Sequence, residues 1–188
     1  EFEVNNTLWD FYKTYDGKDG YIRSNGSYSG ALPEDIFTAE VPQSEYTDAV
    51  KASYADYNDA AVVVISRVGG EGSDMPAGDG TKYLALQEQE KELLRSIQES
   101  GQFKKTIVLL NSSNALELGW MDQKEYGVDA CLWIGGVGQS GARAVADVLA
   151  GKINPSGHLV DTYAADSFSS PAMQNFGDYT YSNADEIE

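Results

Sequence analysis

Read from its apolar positions, the chain divides near residue 45. Before that point Tyr12, Tyr15, Tyr21 and Tyr28 are interleaved with Gly17, Gly20, Gly26 and Gly30, with little helical or strand periodicity. Residues 1–44 therefore read as an irregular lead-in to the same domain, with short strands at 2–4 and 37–41. From residue 45 the pattern turns regular. A helix at 45–54 leads into an apolar, β-branched run at 60–66 that suits a strand buried on both faces. A Gly-rich stretch, 69–80, separates it from a helix at 86–100, where Leu93, Leu94 and Ile97 form the apolar face and Gly101 stands at the C-terminal cap. Buried strands follow at 106–110 and 130–134. The helix at 142–150 carries Ala142, Val145, Ala146 and Leu149 on one side and ends at Gly151. A turn, Asn154-Pro155-Ser156-Gly157, introduces a last short strand at 158–162.

Strands alternating with helices of this length predict an α/β fold: a three-layer α/β/α sandwich around a mostly parallel sheet holding 61–66, 106–110 and 130–134. The sandwich is expected over 45–165. Residues 166–188 read as a loose acidic tail, or a linker toward another domain.

Charge narrows the function. With 30 Asp and Glu against 13 Lys and Arg, the 188-residue chain carries a net charge of −17, which opposes binding to nucleic acid or to an anionic membrane. The longest apolar run, 60–65, falls far short of the roughly 20 residues that span a bilayer. The acidic first residues show no signal peptide, and localisation stays open. Cys131 is the sole cysteine and His158 the sole histidine, which excludes an intrachain disulfide and zinc sites built from several His or Cys ligands. Carboxylates are then the first candidates for acid–base work.

Ligands of open parallel sheets bind beyond the carboxyl ends of the strands. The loop after the first long strand reads Arg67-Val68-Gly69-Gly70-Glu71-Gly72-Ser73-Asp74. Glycines on either side of Glu71 leave its carboxylate unshielded, an arrangement that serves catalysis or ligand binding as readily as a plain turn. Asp74 reads first as a cap on backbone N–H groups of the loop. Arg67 has two readings, a partner of Glu71 or Asp74, or a surface residue. Trp133, inside an apolar strand, and Cys131 read as core, and His158 as an edge or surface residue. A rival signal is Gly136-Val137-Gly138-Gln139-Ser140-Gly141, a literal G-x-G-x-x-G between strand and helix, with Asp161 lying 20 residues beyond Gly141 near a strand end. A dinucleotide domain, however, continues into further strand–helix units, and here one short strand follows.

The run Val64-Ile65-Ser66-Arg67-Val68-Gly69-Gly70-Glu71-Gly72-Ser73-Asp74 resembles the corresponding segment of family 3 glycoside hydrolases, the β-glucosidase-like enzymes. The likeness continues through Ile107-Val108-Leu109-Leu110-Asn111, Trp133 and Gly138-Gln139, and through Ala146-Asp147-Val148-Leu149 to Asn154-Pro155-Ser156-Gly157. It covers residues 45–165. It implies a retaining β-glycosidase in which a (β/α)8-barrel domain, absent from these 188 residues, supplies the nucleophile and this sandwich supplies the general acid/base at Glu71. Arg67, Gly70, Gly72 and Asp74 are then expected to bind substrate or support the loop. The implied partners are a carbohydrate, a β-glucoside or related oligosaccharide, and the barrel domain; no cofactor is implied. Two departures stand out. Met75 and Pro76 follow Asp74 where an arginine is usual, and His158-Leu159-Val160 follows the turn where a basic residue, Leu and Pro are usual. A non-catalytic carbohydrate-binding module is the alternative reading, because only one of the two catalytic carboxylates lies in the chain.

Overall fold

Three β-branched or leucine-rich runs build the sheet. They are β1 (Ala61–Ser66), β2 (Thr106–Asn111) and β3 (Ala130–Trp133), paired in the order β1-β2-β3 and parallel throughout. The computed structural model describes residues 2–15, 39–67, 83–175 and 180. Register sets Ala61 beside Thr106 and Val63 beside Val108, so Ala61, Val63 and Ile65 share a face with Val108 and Leu110. Because side chains alternate across a strand, that face collects the core while Val62 and Val64 point the other way. The α/β class and the parallel sheet are those the sequence predicts.

The helices that cover this face are α1 (Asn6–Lys13), α2 (Asp48–Ser53) and α3 (Glu88–Ser100). Helix α3 joins β1 to β2 as a parallel crossover requires, and its Leu93, Leu94 and Ile97 bury against the sheet. Gly101 closes it in the left-handed conformation, φ +59°, as its position predicts. Ile65, Leu94, Val108 and Leu110 are almost wholly removed from solvent, and Leu116, Trp120 and Tyr126 of the β2–β3 connection complete the same core. On the opposite face Val62 and Val64 remain 47% and 55% exposed among the described residues. Helix α4 (Ala142–Leu149), though amphipathic, buries no residue.

Several expectations change. The lead-in contains a helix: the Asn5 side chain accepts the Leu8 N–H at 3.1 Å, and Leu8, Phe11, Tyr12 and Tyr15 pack against the core. The strands expected at 2–4 and 37–41 do not form at 2–4 and 39–41; residues 37 and 38 lie outside the described part. The helix expected at 45–54 begins at Asp48 instead, because Thr47 caps it through the Val50 N–H, and a 3-10 turn, Gln43–Glu45, precedes it. Residues 158–162 form no strand. Leu159 and Val160 are exposed, and no described strand lies alongside to satisfy a ladder. Where a loose tail is expected from 166, Ser167–Ser169 makes a 3-10 turn and α5 (Pro171–Gln174) follows, with the Ser167 N–H held by Glu117 at 3.0 Å. No described helix is long and apolar enough to cross a membrane.

Candidate functional site

The two ends of the sheet differ in chemistry. At the amino ends, Lys104 pairs with Asp59 and Lys105 with Asp129, each at 2.6 Å, and Asp129 also accepts the Thr106 N–H. These carboxylates are held by exposed lysines, which keep both below the usual carboxylate range. The carboxyl ends are instead laced by neutral groups. Asn111 donates to the Gly135 carbonyl at 2.5 Å and accepts from Ser66 Oγ at 3.2 Å, while Trp133 donates through Nε1 to the Ser112 carbonyl at 2.7 Å. Trp133, at the end of β3, one of the two edge strands among the described residues, is 36% exposed rather than core.

Arg67 follows β1 directly, and it is not a surface residue: it is 5% exposed. Its Nη1 and Nη2 donate to the two Glu90 oxygens at 2.7 and 2.8 Å. The remaining donors reach the carbonyls of Ser66 (Nη1, 2.8 Å), Tyr83 (Nε, 2.6 Å) and Ala85 (Nη2, 2.7 Å). A guanidinium has five N–H donors, and all five are used. A sugar hydroxyl or the carboxylates of Glu71 and Asp74 could engage Arg67 only by displacing one of these bonds. Glu90 is itself anchored, accepting the N–H of Gln87 at 2.8 Å as the first turn of α3 begins. Glu71, Gly70, Gly72 and Asp74 lie in residues 68–82, outside the described part.

Sequence reading passed over Glu90, yet a signal was present. Glu90 sits three, four and seven residues before Leu93, Leu94 and Ile97, on the apolar stripe of α3, where a carboxylate needs a buried partner. Other candidates recede. Cys131 is half-buried and its thiol is pushed up to about 11 by burial, which suppresses thiolate chemistry. His158 is exposed, as expected. Asp147 pairs with Lys152 at 3.0 Å. Among the described residues no three His, Cys, Asp or Glu side chains gather as a metal site.

The turn between β3 and α4 accounts for two of the three motif glycines. Gly138 has φ +59°, and a Cβ on Gly141 would collide with the Val137 carbonyl. With 158–162 not a strand, Asp161 loses the context that a ribose-binding acid requires.

A sequence profile described as the glycosyl hydrolase family 3 C-terminal domain matches residues 11–186. The chain belongs to this family. The family 3 domain is 34% identical over 129 residues to a β-glucosidase of Ruminococcus albus, a match covering 69% of this chain and 13% of that protein. With β-glucosidase A of Butyrivibrio fibrisolvens it shares 30% identity over 168 residues, covering 78% of this chain and 18% of the relative. Among solved structures, a β-glucosidase from Paenibacillus barengoltzii superposes with a TM-score of 0.74 at 29% identity, covering 93% of this chain and 18% of that one. β-Glucosidase 3B from Thermotoga neapolitana, in complex with glucose, gives 0.69 at 32% identity, covering 94% and 23%. The family 3 domain thus spans less than a quarter of the length of each of these four proteins.

Proposed function

We propose that this chain is the sandwich domain of a retaining β-glucosidase and that Glu71 is its general acid/base. The observation that carries the reading is the family 3 match, joined to a parallel sheet whose β1 ends at Ser66, five positions before Glu71 in the chain. A barrel domain of the same protein supplies the nucleophilic carboxylate, about 5–5.5 Å from Glu71 as retention requires. In the first step that carboxylate attacks the anomeric carbon of a β-glucoside. The bond to the leaving oxygen breaks, and its electron pair takes the Glu71 proton. In the second step the Glu71 carboxylate removes a proton from water, whose oxygen attacks the anomeric carbon and frees the nucleophile. Closure of the site against the barrel keeps Glu71 protonated for the first step, since desolvation and a neighbouring carboxylate both favour the neutral acid.

The test is leaving-group dependence in the complete polypeptide. Glu71→Ala is expected to lower kcat/KM on an unactivated disaccharide about 10²–10⁴-fold, the usual contribution of a general acid. It should change kcat/KM far less on a dinitrophenyl glucoside, which departs without a proton. Added azide should restore turnover of the activated substrate by attacking the glycosyl intermediate. An alanine variant that matches wild type on the disaccharide overturns the assignment.

A further inference from the structure

We infer that Tyr12, Glu40 and Tyr46 form a proton-held clasp on helix α1, closed by a proton at the Glu40 carboxyl. When that proton passes to solvent as pH rises, the clasp opens and α1 comes away from the core. The structural basis is a triangle of oxygens. Glu40 Oε1 stands 2.8 Å from the hydroxyls of Tyr12 and of Tyr46, and those two hydroxyls stand 2.5 Å from each other. All three contacts are at hydrogen-bonding distance, and each needs one proton. The two phenols bring two. If both point at Oε1, the phenol oxygens face one another with no proton between them. If one points across to the other phenol, a contact to Oε1 is left bare. A protonated Glu40 supplies the third proton, and each oxygen then donates once around the ring.

The surroundings favour the same state. Tyr46 is buried and Tyr12 and Glu40 are half-buried, so ionising the carboxyl costs desolvation. The titratable groups that face Glu40 are Tyr12 from α1, Tyr46, Tyr54 from the 3-10 turn after α2, and Glu90 from α3, which is paired with Arg67. Burial is the largest cause holding the Glu40 proton, and the Glu90 charge adds to it. The other charged side chains of α1, α2 and the turn before it, Asp10, Lys13, Glu45, Asp48 and Lys51, are exposed. Helix α1 depends on its docking for order, because eight residues fall short of the roughly 12–15 that an isolated helix needs. The triangle grips it one residue from Phe11, whose ring packs on Tyr46 with centroids 4.8 Å apart. A carboxylate left among two phenol oxygens loosens that grip, and the helix frays with it.

The experiment compares wild type, Glu40→Gln and Tyr46→Phe in the complete polypeptide. Amide hydrogen exchange of peptides covering 6–13 is read against that of α3 at about pH 5 and about pH 8, corrected for the intrinsic pH dependence of exchange. In wild type, opening of α1 relative to α3 is expected to rise at least about tenfold, the factor by which a proton held one pH unit longer shifts an equilibrium. The rise is expected to vanish in Glu40→Gln, which has no proton to lose. It should shrink in Tyr46→Phe, where one contact remains and the Tyr12 proton fills it. At about pH 6, where an ordinary glutamate is ionised, the infrared difference between wild type and Glu40→Gln is expected to show the C=O stretch of one protonated carboxyl. Absence of that stretch, wild-type exchange of α1 that tracks α3 at both pH values, or a rise that persists in Glu40→Gln overturns the inference. If Glu40→Gln does not fold, Tyr46→Phe decides in its place, and a rise undiminished there overturns it.

Discussion

At Glu40 a carboxyl group is taken out of water to meet hydroxyls. Its Oε1 accepts from Tyr12 and Tyr46 at 2.8 Å each and from the Val41 N–H at 2.9 Å, joining the lead-in and α1 to the chain before α2. Burial raises its pKa above the ordinary glutamate value of 4.5, outweighing these hydrogen bonds, with Glu90 adding like charge. Burial likewise lifts Tyr12 and Tyr46 well above the usual phenol range, and it is the first cause in both. Both therefore stay neutral donors at physiological pH. The sign for stability follows. A carboxyl that is harder to ionise when folded holds its proton longer in the native state, so stability is lost as pH rises from the unfolded pKa through the folded one. Wild type is therefore expected to lose stability relative to Glu40→Gln as pH climbs from about 4 toward neutrality, read as the difference between their urea midpoints. Little of this was legible beforehand: the tyrosines are visible in sequence, but Tyr12 meets Glu40 and Tyr46 only across 28 and 34 residues.

Helix α3 shows how one element mixes packing with conformational demand. Leu94 is fully buried against the sheet, whereas Gly101 has no neighbour within 4 Å of where a Cβ would stand. Leu94→Ala should therefore cost about 2–5 kcal/mol through transfer and cavity. Gly101→Ala should cost about 1–2 kcal/mol, from the left-handed backbone alone. Denaturant titration of both variants checks the ranking, and equal losses would mean that the cap is strained by something besides φ. The helix was legible because its period, its glycine stop and its polar outer face agree. The strands were legible because β-branched runs bounded by polar residues leave few alternatives. Helix α1 was missed because its stripe of Leu8, Phe11 and Tyr12 runs directly into a Tyr/Gly-rich stretch that hides the period. The false strand at 158–162 has the opposite origin: local alternation is visible in sequence, but the neighbour a ladder needs is not. Arg67 was half legible, its strand-end position evident and its burial against Glu90 concealed by a separation of 23 positions along the chain.

At the scale of the whole molecule, the proposed chemistry needs two carboxyls on opposing walls, of which the proposal assigns one to this chain. The 188 residues alone are expected to release no measurable phenol from an aryl β-glucoside, while the complete polypeptide does so with retention, followed by the anomeric configuration of the first product. Turnover by the isolated chain would show that both carboxyls lie within it. The hydrogen bonds of Asn111 carry a different consequence, for the choice of production host. Asn5-Asn6-Thr7, Asn25-Gly26-Ser27 and Asn111-Ser112-Ser113 are acceptor sequons for N-linked glycans, which are attached in a eukaryotic secretory pathway to the asparagine Nδ2, an atom that the fold uses at Asn5 and Asn111. Asn111 spends its Nδ2 on the Gly135 carbonyl and Asn5 on Ser53 Oγ at 2.7 Å. A sugar added to either nitrogen before folding competes with the lacing of the strand ends or with the anchor of α1. Yeast or insect secretion therefore calls for Ser113→Ala and Thr7→Ala, exposed changes that erase the acceptor sites at Asn111 and Asn5 and leave these two asparagines free to do their structural work.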